Sequence, residues 1–414
     1  VLVHVDDATG NGRARVRATP RRVDYSTGMP LTVHEDPAGA APRYVRWVLL
    51  LVAAACAVLL AVLWWLDPIS VTGRQTRFSV VENGGVRQAK LDLMEQLEAP
   101  PRVLVLGSSR SMQLDPADVS RTAGVDAFNG AVSGGTSQDM YLYARYADEL
   151  WGDSPEGYPH LVLGVVNDVL RDSGTSVLDP RLRRYLPRAE RERDPIDVAD
   201  QLLQLKTVES AARGVRHVVR RDGIAALADP TGGDGDVDAG LARTGRQNGN
   251  RLDLLDERGM KLPVPGEDDG TLRSRIDEQM AEYVERSYDA DPTFTGADPR
   301  GLEMLRRTIR LANANGDVPT LWVTPFHPDA LELLPAQHAE RDRRFRAALE
   351  RLGQEEGLRF ELVDLAQLDS FDGDPDDFHD GIHMNVDNTA RVVRRLHALG
   401  QLDPAPLTEA AAPA

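Results

Sequence analysis

The sequence has almost no cysteine. Its single thiol, Cys56, lies inside an apolar run, so no disulfide can form within the chain. Residues 67–414 contain no cysteine at all. A cysteine nucleophile, a redox pair and every thiolate metal site are therefore excluded there. A stretch of that size can be held by packing alone, so the absence carries no message about compartment. Basic residues are also in short supply, with 48 Lys and Arg against 65 Asp and Glu, a net charge of -17. Nucleic-acid partners normally demand a basic face, and this balance argues against one. The imbalance is uneven. Residues 1–66 carry seven Arg and five acids, net +2, which leaves 41 basic and 60 acidic residues, net -19, in the remainder. Such a surface repels phosphate polymers and favours solubility without naming a substrate. Apolar residues make up 42% of the 414, enough for a core in one large domain or two modest ones.

What is present begins with Trp47–Leu66, WVLLLVAAACAVLLAVLWWL, a run without charge. At 1.5 Å per residue it is about 30 Å long, the hydrocarbon thickness of a bilayer. Arg43 and Arg46 precede it, and Trp64 and Trp65 close it, where indole rings prefer the interface. A core helix of that length would show a polar face. A cleaved signal would start earlier and be followed by small residues, whereas DPISVTG offers no convincing site. The run therefore reads as an uncleaved transmembrane helix over residues 45–68. Seven Arg lie before it and few basic residues just after, so the positive-inside rule puts the N-terminus in the cytoplasm and residues 67–414 outside. Residues 1–44, rich in Gly, Pro, Asp and Arg, read as a disordered cytoplasmic tail, and 403–414 as a disordered C-terminal one.

Residues 69–100 form a membrane-proximal linker containing the helical pattern AKLDLMEQLEAP. Beyond it, five short apolar runs read as strands: Pro101–Gly107, one ending at Ala127–Asn129, His160–Val166, Thr320–Thr324 and Phe360–Leu365. Helical patterns lie between and after them, at Ser137–Leu150, Gly301–Asn313, Ala336–Glu356 and Asn388–Leu399. Strands alternating with helices predict an α/β fold, a parallel sheet with helices on both faces, over residues 101–402. Such sheets carry functional loops at the carboxyl ends of their strands. About 171–299 breaks the rhythm and reads as a helical insertion that could cap or flank a site. Its stretch Asp229–Gly240 lacks EF-hand spacing and reads as a loop.

Three of the predicted strand ends carry chemistry. Gly107-Ser108-Ser109 places a serine after a tight turn, where the first N–H groups of a following helix lack internal partners and favour negative charge. A helix cap explains the same serine equally well. The glycines of Phe128–Gln138 allow backbone N–H groups to face a ligand. Asn167, in Val165-Val-Asn-Asp, offers an uncharged donor, although both segments are also ordinary turn formers. A serine needs a base, and a histidine base needs an orienting carboxylate. Asp380 and His383, on a loop before the last helix, supply such a pair. His379 is a second candidate base, and spacing does not choose between the two rings. His327, after the fourth strand, reads as a turn residue near the pocket. Together these parts supply what acyl transfer through a serine requires.

In these segments the chain resembles the SGNH (GDSL-like) hydrolase superfamily, over roughly residues 101–170 and 315–400. The block usually written Gly-Asp-Ser matches Gly107-Ser108-Ser109. The second matches Asn129-Gly-Ala-Val-Ser-Gly134-Gly-Thr-Ser, the third Gly164-Val165-Val166-Asn167, and the fourth Asp380 and His383. Ser108 stands where the family usually has Asp, and Val165 where it usually has Gly. The Gly-Ser-Ser start resembles membrane-anchored members, the D-alanyl transfer and polysaccharide O-acetylation proteins. The resemblance implies a flavodoxin-like three-layer sandwich. It implies a triad of Ser109, Asp380 and His383, with an oxyanion hole of Ser109, Gly134 and Asn167. It implies a serine esterase or O-acyltransferase on an acylated glycan or other envelope polymer, with no metal or organic cofactor. Implied partners are the bilayer and a membrane acyl-donor protein. The same fold could also serve as a non-catalytic glycan-binding or scaffold protein assisting such an acyltransferase.

Overall fold

The computed structural model describes residues 40–67, 84–172, 180–187, 199, 202–203, 205–228, 255–261 and 270–402. The tail before residue 40, residues 68–83 of the linker, the Gly/Asp stretch 229–240 and residues 403–414 lie outside the described residues. In chain order the elements are α1 (Ala40–Leu66), α2 (Gly84–Gln96), β1 (Val103–Leu106), α3 (Pro116–Ala123), β2 (Ala127–Asn129), α4 (Ser137–Trp151), β3 (His160–Val165) and α5 (Pro180–Arg183). There follow α6 (Leu205–Asp222), α7 (Leu272–Val284), α8 (Pro299–Ala314), β4 (Thr320–Val323), α9 (Pro328–Glu332), α10 (Gln337–Gly353), β5 (Glu361–Asp364) and α11 (Val386–Ala398).

Contacts divide the chain inside α1, into Val1–Cys56 and Ala57–Ala414. In α1, Tyr44–Leu66 is long and apolar enough to cross a membrane. Its side chains are not those of a core helix, since Leu51 is 68% and Val58 64% exposed. The helix begins at Ala40, about two turns before the apolar run itself starts at Trp47. Pro42 is tolerated there because first-turn N–H groups have no intrahelical partner.

In the second unit all five strands pair in parallel, in the order β2-β1-β3-β4-β5. The strands VLVL, HLVLGV and TLWV are buried along their whole length, as near-continuous apolar runs in parallel sheets are. Alternation sends Leu104, Leu106, Leu161, Leu163, Leu321 and Val323 to one face, where they pack with α2, α4, α7, α8 and α10. Val103, Val105, Val162, Trp322 and Val363 face the other way, against α3 and α11. Helices therefore cover both faces of the sheet. Burying one such side chain stabilises by roughly 1.5–3 kcal/mol, so the two layers hold the sheet without covalent staples.

Local signals agree with this packing. Asp115 accepts from the Ala117 N–H at 2.7 Å, Pro116 opens α3, and Gly124 closes it at φ 73°. Asn385 caps α11, accepting from Asp387 N–H at 3.0 Å. The order 2-1-3-4-5 is a doubly wound one whose switch point falls between β1 and β3. The loops leaving β1, β2 and β3 at their carboxyl ends begin at Gly107, Gly130 and Val166.

Gly301 is where α8 meets the loop beyond β3. A Cβ at this position would stand 2.2 Å from the Leu170 carbonyl oxygen and 2.5 Å from its carbon, with no flexible side chain able to yield. Gly→Ala in an exposed helix normally stabilises by about 1 kcal/mol. Here the sign reverses. Gly301→Ala is expected to destabilise by about 1–3 kcal/mol or more, read as a lowered urea midpoint.

Candidate active site

The first turn after β1 is a short 3-10 helix, Ser109–Ser111, with Ser108 in the extended region ahead of it. Ser108 accepts from the Ser111 N–H at 2.9 Å and makes no capping bond with its side chain. The turn hangs from the sheet by close packing. The buried Ser111 side chain fills the space that a Cβ on Gly107 or Gly164 would occupy, at 2.6 Å and 2.0 Å from its hydroxyl. Only glycine at both positions, just past β1 and within β3, lets the turn sit this low, and this sets the height of Ser109.

Ser109 meets a residue 274 positions later. Its hydroxyl lies 2.9 Å from His383 Nε2, and His383 Nδ1 lies 2.7 Å from Asp380 Oδ2. An ionised carboxylate can only accept, so Nδ1 carries the ring proton and Nε2 accepts from the serine. The other oxygen of Asp380 accepts from the Ile382 and His383 N–H groups at 2.7 and 2.9 Å. Burial works to raise the Asp380 carboxyl. The His383 imidazole and these two N–H groups outweigh it and hold the carboxyl below its ordinary value.

The three donors named from sequence share one property. Among the described residues, neither the Ser109 N–H nor the Gly134 N–H has a protein acceptor. The Asn167 side-chain nitrogen is fully buried and also unpartnered. Gly134 stands in the left-handed region at φ 60°, in open space, a conformation that glycine adopts without strain. Val165, where the resemblance calls for glycine, turns its side chain into the core layer with Leu161 and Leu163. Its bulk therefore points away from the loop.

The remaining candidates have other partners. His379 Nε2 donates to Gln113 Oε1 at 2.8 Å, which turns the ring to the α3 side. His327 caps α9, its Nδ1 accepting from Asp329 N–H at 3.0 Å, and its backbone N–H donates to the Gly381 carbonyl at 3.1 Å. Burial pushes the His327 imidazole below its ordinary value, consistent with its accepting role. Among the described residues no group of His, Cys, Asp and Glu is placed to hold a metal ion.

Several residues near the site were given no role by the sequence. Asn129 reads as a turn former, yet it is buried and bonded on both sides. Its Nδ2 donates to the Ser111 and Leu114 carbonyls at 2.8 Å each, and its Oδ1 accepts from the Ala131 N–H at 3.0 Å. It thus ties the turn of Ser109 to the loop of Gly134. Lys90, an unremarked position in the α2 pattern, is fully buried and donates to the Ala131 carbonyl and to Asn129 Oδ1. Arg110 lays its guanidinium 3.9 Å from the centre of the Phe326 ring and donates to the Pro325 carbonyl at 3.1 Å.

Part of the insertion flanks these loops. On α7, Tyr283 donates to the Asp168 carboxylate beside Asn167, and Arg275 donates to the His379 carbonyl at 2.6 Å. Met280 fills the space over Gly381, where a Cβ would stand 2.9 Å from its sulfur and from Ala330. The loop of Asp380 and His383 is therefore packed from above by α7 and from the side by α9. The chain matches no model of a known protein family and no curated protein.

Lys90 yields a pH test. Burial lowers its ammonium from the ordinary 10.5 to about 7, with Asp256 opposing. Between those values the unfolded chain binds the proton and the folded chain does not, so stability rises with pH across that window. Below about 7 this contribution is gone. The urea midpoint of the detergent-purified chain should climb from neutral to alkaline pH, and Lys90→Met should flatten that climb.

Proposed function

We propose that this chain is a membrane-anchored serine esterase or O-acyltransferase of the SGNH type, acting outside the cytoplasm on acyl esters of an envelope glycan or polymer. The observation that carries the reading is the hydrogen-bonded line Ser109–His383–Asp380, at the sheet edge where the loops of Gly134 and Asn167 also leave their strands and carry donors without a protein acceptor. A structural serine would not need an imidazole held by a carboxylate. A structural asparagine would not leave a buried amide nitrogen unpaired, at a penalty of about 1–3 kcal/mol.

In this mechanism His383 Nε2 takes the hydroxyl proton as Ser109 Oγ attacks the ester carbonyl. Asp380 keeps the ring in the required tautomer and stabilises the imidazolium. The Ser109 and Gly134 N–H groups and Asn167 Nδ2 receive the charge that develops on the carbonyl oxygen. The imidazolium then returns its proton to the leaving alcohol. The acyl-serine is resolved by water, giving an esterase, or by an acceptor hydroxyl, giving a transferase. In both cases His383 removes the proton of the attacking oxygen. The cover that α7 provides over the His383 loop favours a site from which water can be partly excluded. The envelope substrate follows from the anchor, from the arginines ahead of α1 and from the resemblance to membrane-anchored acylation proteins.

A fluorophosphonate probe should label the purified chain at Ser109, and Ser109→Ala should abolish the labelling. An inert binding module would leave the probe unreacted in both forms. On a short-chain nitrophenyl ester, Asp380→Asn should lower kcat by on the order of 10^3–10^4 and Asn167→Ala by about 10^2–10^3. Adding a soluble oligosaccharide acceptor separates the two outcomes, since only a transferase would form the acylated sugar.

A further inference from the structure

Helix α6 takes no part in the chemistry proposed above, and its composition is unlike that of the rest of the chain. LKTVESAARGVRHVVRRD carries five basic and two acidic residues, net +3, within a span of net -19. Its apolar positions Val208, Ala211, Val215 and Val218 recur at three and four residues, along one helical face. That face is not packed on the sheet. With Leu202 and Leu227 it closes around Leu60, Leu63 and Leu66, the last two turns of α1, and leaves Leu63 only 2% exposed.

This contact fixes a depth. Val208–Val218 covers about 15 Å of α6, and Leu60–Leu66 covers about 9 Å of α1, at 1.5 Å per residue. Those closing turns of α1 also hold Trp64 and Trp65, exposed by 48% and 49%. On a membrane-spanning helix that level is the interface, where indoles sit among headgroups. Arg216 and Arg220 lie on the face of α6 opposite the seam, and both are exposed. Leu203 is 41% exposed just ahead of the helix, and Ile224 is 76% exposed just after it. A basic helix with bare apolar side chains at both ends, tied to the interfacial turns of a span, has the chemistry of a surface-lying amphipathic segment.

We infer that α6 lies along the outer surface of the bilayer crossed by α1, with Ile224 entering the interface and Arg216 and Arg220 meeting anionic lipid headgroups. The inference rests on the reading of α1 as a membrane span and adds a second attachment to it. A domain of net -19 would be repelled by an anionic surface, and α6 supplies the local positive patch that reverses this. Two attachments, rather than one, restrain the domain from turning about the axis of α1.

Site-directed labelling of the full chain tests this. Cys56→Ser removes the only cysteine. Single cysteines at Val58, Ile224 and Gln354, exposed positions all, then carry a fluorophore quenched by doxyl-labelled lipid. The chain is reconstituted in vesicles of phosphatidylcholine alone or of equal parts phosphatidylcholine and phosphatidylglycerol. Position 58 should be strongly quenched in both. Position 224 should be quenched about twofold or more above position 354, and more so in the anionic vesicles. The double variant R216E/R220E should remove that anionic increment. If 58 is quenched and 224 behaves like 354, the inference is overturned and the anchor stands. If 58 is not quenched, the anchor falls and takes the inference with it. Quenching at 224 that ignores both lipid charge and R216E/R220E overturns the assignment of the arginines to headgroups.

Discussion

The geometry of the candidate site depends on one buried amide. Asn129 ends β2 and bonds to both the turn beyond β1 and the loop beyond β2, with Lys90 bearing on it from α2. Strands fix where loops start, but they do not fix where loops end. Two loops that leave neighbouring strands can splay by several ångströms unless something joins them. Asn129 spends both faces of its amide on that join, inside a core where an unmade bond would be expensive. The height of the serine turn and the reach of the Gly134 loop are consequently set together.

Around that fixed pair the structure tolerates unpaired polar groups. The Asn167 amide nitrogen is buried without a protein acceptor, and the Ser109 and Gly134 N–H groups have none either. Such groups oppose folding, and they persist because the sheet and its two apolar layers over-determine the loops that carry them. The acid–base side is restrained differently. Asp380 is satisfied by two backbone N–H groups in its own loop, and that loop is clamped by α7 and α9. Donors are thus left open, while the imidazole is tightly held.

Much of the fold was legible in the residues. The five runs became the five strands, the three central ones because a parallel sheet covered on both faces needs little else than buried aliphatic side chains, while β5 at the edge buries only Val363. The helical patterns at 137, 301, 336 and 388 became α4, α8, α10 and α11, with shifted ends. Short helices such as α3 and α9 were missed, since one or two turns show too little periodicity. Of the site, Ser109 was visible as a serine at a strand end, and Asp380 and His383 as an acid–base pair on the loop before the last helix. The choice between His379 and His383 was not, because four residues on an irregular loop impose no direction on a ring. Lys90 left no trace, since a lysine in an amphipathic helix is ordinarily solvated.

By itself the sequence determined the membrane-compatible helix, the alternation of strands and helices, and the kinds of side chain available at each strand end. These follow from local quantities: run length, periodicity and turn chemistry. Only the tertiary structure decided which imidazole reaches the serine, that Asn129 and Lys90 join the loops, and that α7 and α6 turn toward the site loops and toward α1. Those are contacts between segments tens to hundreds of residues apart, and no local preference encodes their distance or direction. Packing of the whole chain selects them at once.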